Sequence, residues 1–188
     1  MIISIMLSLV IFISLSGNTC FASYEEEAAD ALNSLGLFSG SEAGYELERT
    51  PTRAEALVML LRLTGQADAA LAERCAHPFQ DGGWADAYIG YAYQKGLTTG
   101  VSPNVFGTNT DTTARQYAAF LLRALGYQDF DYEKALRLLQ VNAPVILPEG
   151  ARFTRGDMAS LSLAALAAPM ADGSGTLVAH LAGEWLFS

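Results

Sequence analysis

"TPTRAEALVMLLRLTG", Thr50–Gly65, is the stretch that decides the fold. Thr52 followed three residues later by Glu55 is the pattern of a capping box, in which each side chain satisfies an N–H group left orphaned at a helix start. Leu57, Leu60 and Leu61 then return at helical spacing, and Gly65 suits the left-handed position that closes a helix. One residue runs against this order. Arg53 puts a positive charge in the first turn, where free N–H groups already carry partial positive charge, at a cost of ~0.3–1 kcal/mol.

The same helix start is written twice more. "TARQYAAFLLRALG" (Thr113–Gly126) repeats it at an offset of 61 residues, and "KGLTTG" (Lys95–Gly100) repeats "LGLFSG" (Leu35–Gly40) at an offset of 60. "TRGDMASLSLAAL" (Thr154–Leu166) is a weaker third copy. Thr113 with Gln116, and Thr154 with Asp157, stand where Thr52 and Glu55 stand in the first copy. In the second copy Ala118, Leu121, Leu122 and Leu125 form the apolar stripe, and Gly126 closes the helix. Three amphipathic helices with one apolar stripe each bury those stripes against one another, which predicts a three-helix core.

A shorter unit precedes each of these helices. Ala85–Lys95 reads as a helix stopped by Gly96, followed by a loop to Phe106. "EEEAADALNSLGLFSG" and "FDYEKALRLLQV" play the same part in the first and third copies. The acidic run Glu25–Glu27 reads as a solvated helix start. The segments around Pro144 and Pro148 read as connections; after Leu166, Pro169 breaks the chain, "DGSG" turns it, and "TLVAHLAGEWLF" is a last helix. The expected fold is mainly α, with repeats at 24–65, 77–127 and 128–188 around a central three-helix bundle.

Composition narrows the function. The chain has 188 residues, 51% of them apolar by type, enough for one sizeable core. Its 20 acidic against 11 basic residues give a net charge of −9, and with no basic patch nucleic acid is not an expected partner. Residues 1–22 read as a signal peptide: an apolar run from Ile2 to Leu15, too short for a span of about 20 residues, with Cys20 and Ala22 at −3 and −1 of a cleavage after Ala22. No Lys or Arg precedes the run, which leaves open a start upstream of Met1 or retention of the segment as an anchor. After cleavage Cys75 is the sole cysteine, so no internal disulfide, metal site or cofactor is expected, and His77 and His180 lack partners at ligand spacing. The sequence holds no G-x-S-x-G elbow, H-E-x-x-H pair or phosphate loop. A pair of acids such as Asp81 and Asp86 suggests a glycosidase couple, but a non-catalytic role is expected.

Taken in order, "FQDGGW" (Phe79–Trp84), "KGLTTG", Phe106 and the second helix start resemble the S-layer homology family. "LGLFSG", Tyr45 and "TRAE" supply most of the same series in the first copy. The resemblance implies a three-pronged spindle around a three-helix bundle. It also implies noncovalent attachment to peptidoglycan-linked secondary cell-wall polysaccharide, commonly through pyruvylated amino sugars, at the cell wall or in an S-layer. An arginine in the first turn, beside unpaired helix-start N–H groups, would then hold the sugar's carboxylate. On that resemblance Arg53, Arg155, Trp84, Asp81, Gly40 and Gly100 are the expected polymer-binding residues. Thr52, Glu55, Thr113, Gln116, Thr154 and Asp157 are structural caps.

Other readings stand beside these. Arg53 pairing with Glu48 on the surface, Trp84 as a core residue, and the glycines as turns needing positive φ are the plainer roles. In the second copy Ala114 replaces the arginine and Arg115 follows about 100° round the helix. Arg155-Gly156-Asp157 spells an adhesion tripeptide, but inside a helix start its Asp is a cap. The alternative function is an envelope or S-layer protein-assembly module, or a self-assembling one, that has lost polymer binding.

Overall fold

A computed structural model describes residues 21–143, 145, 147 and 152–186. Most of the expected signal segment and the two connecting prolines, Pro144 and Pro148, lie outside them. The described chain is mainly helical: α1 (Phe21–Ser34), α2 (Arg53–Leu63), α3 (Ala67–Glu73), α4 (Asp86–Gln94), α5 (Ala114–Ala124), α6 (Ala135–Asn142), α7 (Arg155–Leu166) and α8 (Leu177–Leu186). Short 3-10 turns at Gly83–Ala85 and Tyr132–Lys134 lead into α4 and α6. Extended pairing among the described residues is confined to isolated bridges such as Thr52 with Asp111. No helix among them is long and apolar enough to cross a membrane.

The three long helices α2, α5 and α7 open with the capping boxes written in the sequence. Thr52 Oγ1 accepts from Glu55 N at 3.3 Å while Thr52 N donates to Glu55 Oε2 at 2.7 Å. Thr113 with Gln116 and Thr154 with Asp157 reciprocate in the same way. At the other end Gly65 and Gly126 take φ of 70° and 90°, and Gln66 N reaches back to Leu61 O and Tyr127 N to Leu122 O. α3, which follows Gly65 directly, is a helix that the repeat pattern gave no reason to expect.

α2, α5 and α7 pack pairwise against one another. The helices that open the copies, α1, α4 and α6, lie on the long helix of another copy. α4 lies on α2, α6 on α5, and α1 crosses the length of the chain to lie on α7. Each copy therefore covers the copy before it, and the first covers the last.

This arrangement corrects the expectation of one apolar stripe per long helix. α7 is buried along eleven of its twelve residues and α2 along nine of eleven, because each is walled by the bundle on one side and by a short helix on the other. A helix enclosed from all sides is apolar all round. Where α7 carries hydroxyls, one is used across the bundle: Ser162 Oγ donates to Met158 O at 2.6 Å and accepts from the buried Tyr117 hydroxyl at 2.6 Å.

Candidate functional site

The residues marked out by the repeats meet where the start of one long helix touches the loop of another copy. At the start of α2, Arg53 N donates to Thr110 O at 2.8 Å and Ala54 N to Thr108 O at 3.2 Å, while Thr112 N returns a bond to Pro51 O at 3.0 Å. This corrects the expectation that the helix-start N–H groups are free for an anion. The second copy's loop runs alongside the helix start and takes the donors that the capping box leaves over. Anion attraction at this end rests on the Arg53 side chain.

The loop that does this is held by Asp81. Its carboxylate accepts from Phe106 N at 2.7 Å, Gly107 N at 2.8 Å and Thr108 N at 3.1 Å, and its carbonyl accepts the Thr108 hydroxyl. Desolvation pushes the Asp81 carboxyl up, but these N–H groups together hold it below the usual range. Both carboxylate oxygens are occupied by the loop, so Asp81 sets the position of Phe106 rather than presenting an open acid. Asp86, the other acid of the pair weighed for catalysis, lies 3.0 Å from His77 Nε2, and His77 Nδ1 accepts from Phe79 N at 3.1 Å.

Arg53 lies on that loop. Its guanidinium carbon is 5.0 Å from the centroid of Phe106 and 4.8 Å from that of Phe120, and the residue is 6% exposed. Glu48 is not its partner. Nε is buried without a hydrogen bond, and among the described residues the guanidinium makes neither a hydrogen bond nor an ion pair. Burial pushes its pKa down to about 10. The two rings offset part of the desolvation, since cation–π contacts are worth roughly 0.5–2 kcal/mol. They supply no acceptor. A buried cation in this condition is uncommon, because charged groups taken out of water are ordinarily paired.

The start of α7 repeats the backbone pattern with a different result. Arg155 N donates to Arg49 O at 2.8 Å and Gly156 N to Leu47 O at 3.0 Å. The Arg155 guanidinium lies 4.9 Å from the Phe38 centroid, as Arg53 lies on Phe106, but its Nε donates to Tyr45 O at 2.9 Å and Nη2 to Ser39 O at 3.2 Å. Asp157 is buried in its capping box, so the adhesion tripeptide is not displayed. At α5 the first helical residue is Ala114. The next, Arg115, is exposed, paired with Glu133 and 5.8 Å from the Tyr132 centroid.

The remaining expected site residues fall as follows. Trp84 is 60% exposed in the turn before α4, three residues after Asp81, which excludes the core role. Gly100, at φ +75°, is a close-approach position: a Cβ would stand 2.3 Å from Phe79 Cε1 and 2.7 Å from Val105 O. Gly40 is its counterpart in the first copy, where a Cβ would meet Gly44 O at 2.5 Å. Both glycines are positions of close backbone approach that a side chain would obstruct. Two residues of the site were not singled out from the sequence. Phe120 forms the second wall of the Arg53 site, and Arg49 grips Glu55 through two bonds of 2.9 and 2.7 Å.

No family model matches the chain. A curated relative, a "Cell surface protein" of Thermoanaerobacter kivui, is 30% identical over 173 residues, an alignment covering 84% of this chain and 23% of the relative. The chain thus spans less than a quarter of the length of the curated relative it matches.

Proposed function

We propose that this chain is a non-catalytic module of the cell surface that binds an acidic wall polysaccharide noncovalently, with Arg53 holding the acid. The observation that carries the reading is the guanidinium of a residue only 6% exposed, walled by Phe106 and Phe120 and lacking any acceptor in the described structure. Buried arginine donors without acceptors suit a carboxylate, which takes two parallel N–H bonds. The aromatic walls keep the pair out of water, where it is stronger.

The name of the Thermoanaerobacter kivui relative supports placement at the cell surface, and the order of repeats resembles that of S-layer homology modules, which attach exported proteins to pyruvylated secondary wall polymers. Residues 1–22 then serve as the export signal. Trp84, exposed beside the loop that Asp81 organises, is suited to stacking on a sugar ring. The net charge of −9 opposes an acidic polymer only at long range, because beyond a Debye length of about 8 Å it is screened.

The test is co-sedimentation of residues 23–188 with Gram-positive wall sacculi in three arms: intact walls, walls stripped of secondary polymer by acid, and intact walls with Arg53→Ala protein. Binding lost in both the second and third arms is the expected result. Wild-type protein that stays in the supernatant with intact walls overturns the reading and turns attention to a protein partner.

A further inference from the structure

The internal symmetry offers three equivalent junctions, and they are not equivalent chemically. At the α2 junction the arginine has no acceptor. At the α7 junction the corresponding Arg155 already donates to Tyr45 O and Ser39 O, from the loop it lies on. At the α5 junction the position is Ala114, and Arg115 one residue on is paired with Glu133. Backbone donors do not distinguish α2 from α7, because the first N–H groups of both are taken by loop carbonyls; at α5 the cation is exposed and already paired with Glu133.

We propose that the chain is monovalent: of its three junctions only the one built from Arg53, Phe106 and Phe120 takes an anionic ligand, and Arg155 is a structural clasp. A ligand carboxylate at α7 would have to displace two carbonyl acceptors that cost nothing further to hold. At α2 it meets a guanidinium that no described protein acceptor holds. The difference traces to the loops: Tyr45 O and Ser39 O turn toward Arg155, whereas in the second copy the Phe106–Thr108 backbone is held by the carboxylate of Asp81. This inference rests on the polymer-binding reading and adds the count of working sites.

Two measurements test it, both with intact sacculi and with the acidic polymer released from them as the probe. In the first, Arg53→Gln is expected to weaken binding more than about 30-fold, the scale of an unpaired buried charge contact, and Arg155→Gln less than about twofold. Arg155→Lys is run beside it at low temperature, with helicity checked, in case the glutamine variant unfolds. In the second, wild-type protein is titrated into sacculi and turbidity is followed; a monovalent binder saturates the walls without agglutinating them. Residual binding by Arg53→Gln near the wild-type level, a tenfold loss in a folded Arg155 variant, or agglutination by monomeric protein overturns monovalency and leaves polymer binding standing. Absence of wild-type binding overturns both.

Discussion

Arg53 and Asp81 are charged residues of one small site with opposite accounts. Arg53 is a cation that the fold leaves unsatisfied, so its charge contributes little to stability. Replacing a buried unpaired charge with an apolar group of similar length is neutral or stabilising. Arg53→Met, whose thioether sits well between Phe106 and Phe120, is expected to abolish sedimentation with walls while its thermal midpoint stays level or rises by a few degrees. A scan that shows a fall of more than about 5 °C contradicts the assignment of Arg53 as a binding rather than a structural residue. Asp81 is satisfied three times over by Phe106, Gly107 and Thr108. Its folded pKa is held down, so its contribution is present above the ordinary carboxyl value of about 3.9 and is lost as pH falls through the folded one. Asp81→Asn is expected to cost about 2 kcal/mol at pH 7, from lost charge-assisted bonds, and to destabilise progressively less relative to wild type below pH ~4. Parallel melts from pH 7 down to pH 3 read both effects.

The loop from Leu97 to Thr112 is the element on which the site depends. It passes Gly100 against Phe79, turns through Gly107 at φ +90°, and lays its carbonyls on the start of α2. Phe79 in turn touches Phe106, with ring centroids 6.0 Å apart. Gly100→Ala forces a methyl into Phe79 and into Val105 O at a φ that alanine tolerates poorly. It is expected to cost about 2–3 kcal/mol and to weaken wall binding through the displaced Phe106, with Arg53 itself intact. Melting together with sedimentation checks it; a variant that melts like the wild type shows that the loop absorbs the methyl. The helix ends themselves were legible from the sequence. Thr52 with Glu55, Thr113 with Gln116 and Thr154 with Asp157 act within one helical turn, so three-residue spacing is sufficient information. That the adjoining N–H groups are also taken was not legible, because their acceptors, Thr108 and Thr110, belong to another copy.

The ring of copies is closed by α1 on α7. Leu32 is fully buried in the common core, and its helix joins the beginning of the described chain to the last long helix. Leu32→Ala is expected to lower the stability of the entire fold by roughly 2–5 kcal/mol, as a single transition by far-ultraviolet dichroism and by tyrosine fluorescence. Early loss of α1 alone, with the rest melting at the wild-type midpoint, would show instead that the copies are separable units. The same closure makes α2 and α7 buried nearly all round, which their sequences alone, read as amphipathic stripes, did not indicate.

The amino-acid order was sufficient for the three helix starts, the glycine ends of the first two, the mainly helical class and the position of Arg53 as an anomaly, since each of these depends on contacts within a turn or on a repeated spacing. It was insufficient for the fate of the arginines. Arg53 and Arg155 each follow a capping Thr at the same helical position, and one is left without an acceptor while the other donates to two loop carbonyls. Which of them is left open depends on where the carbonyls of a distant loop fall. The chain settles that only when the copies close on one another, because a guanidinium is satisfied by acceptors in space and carries no mark of them in its neighbours along the chain.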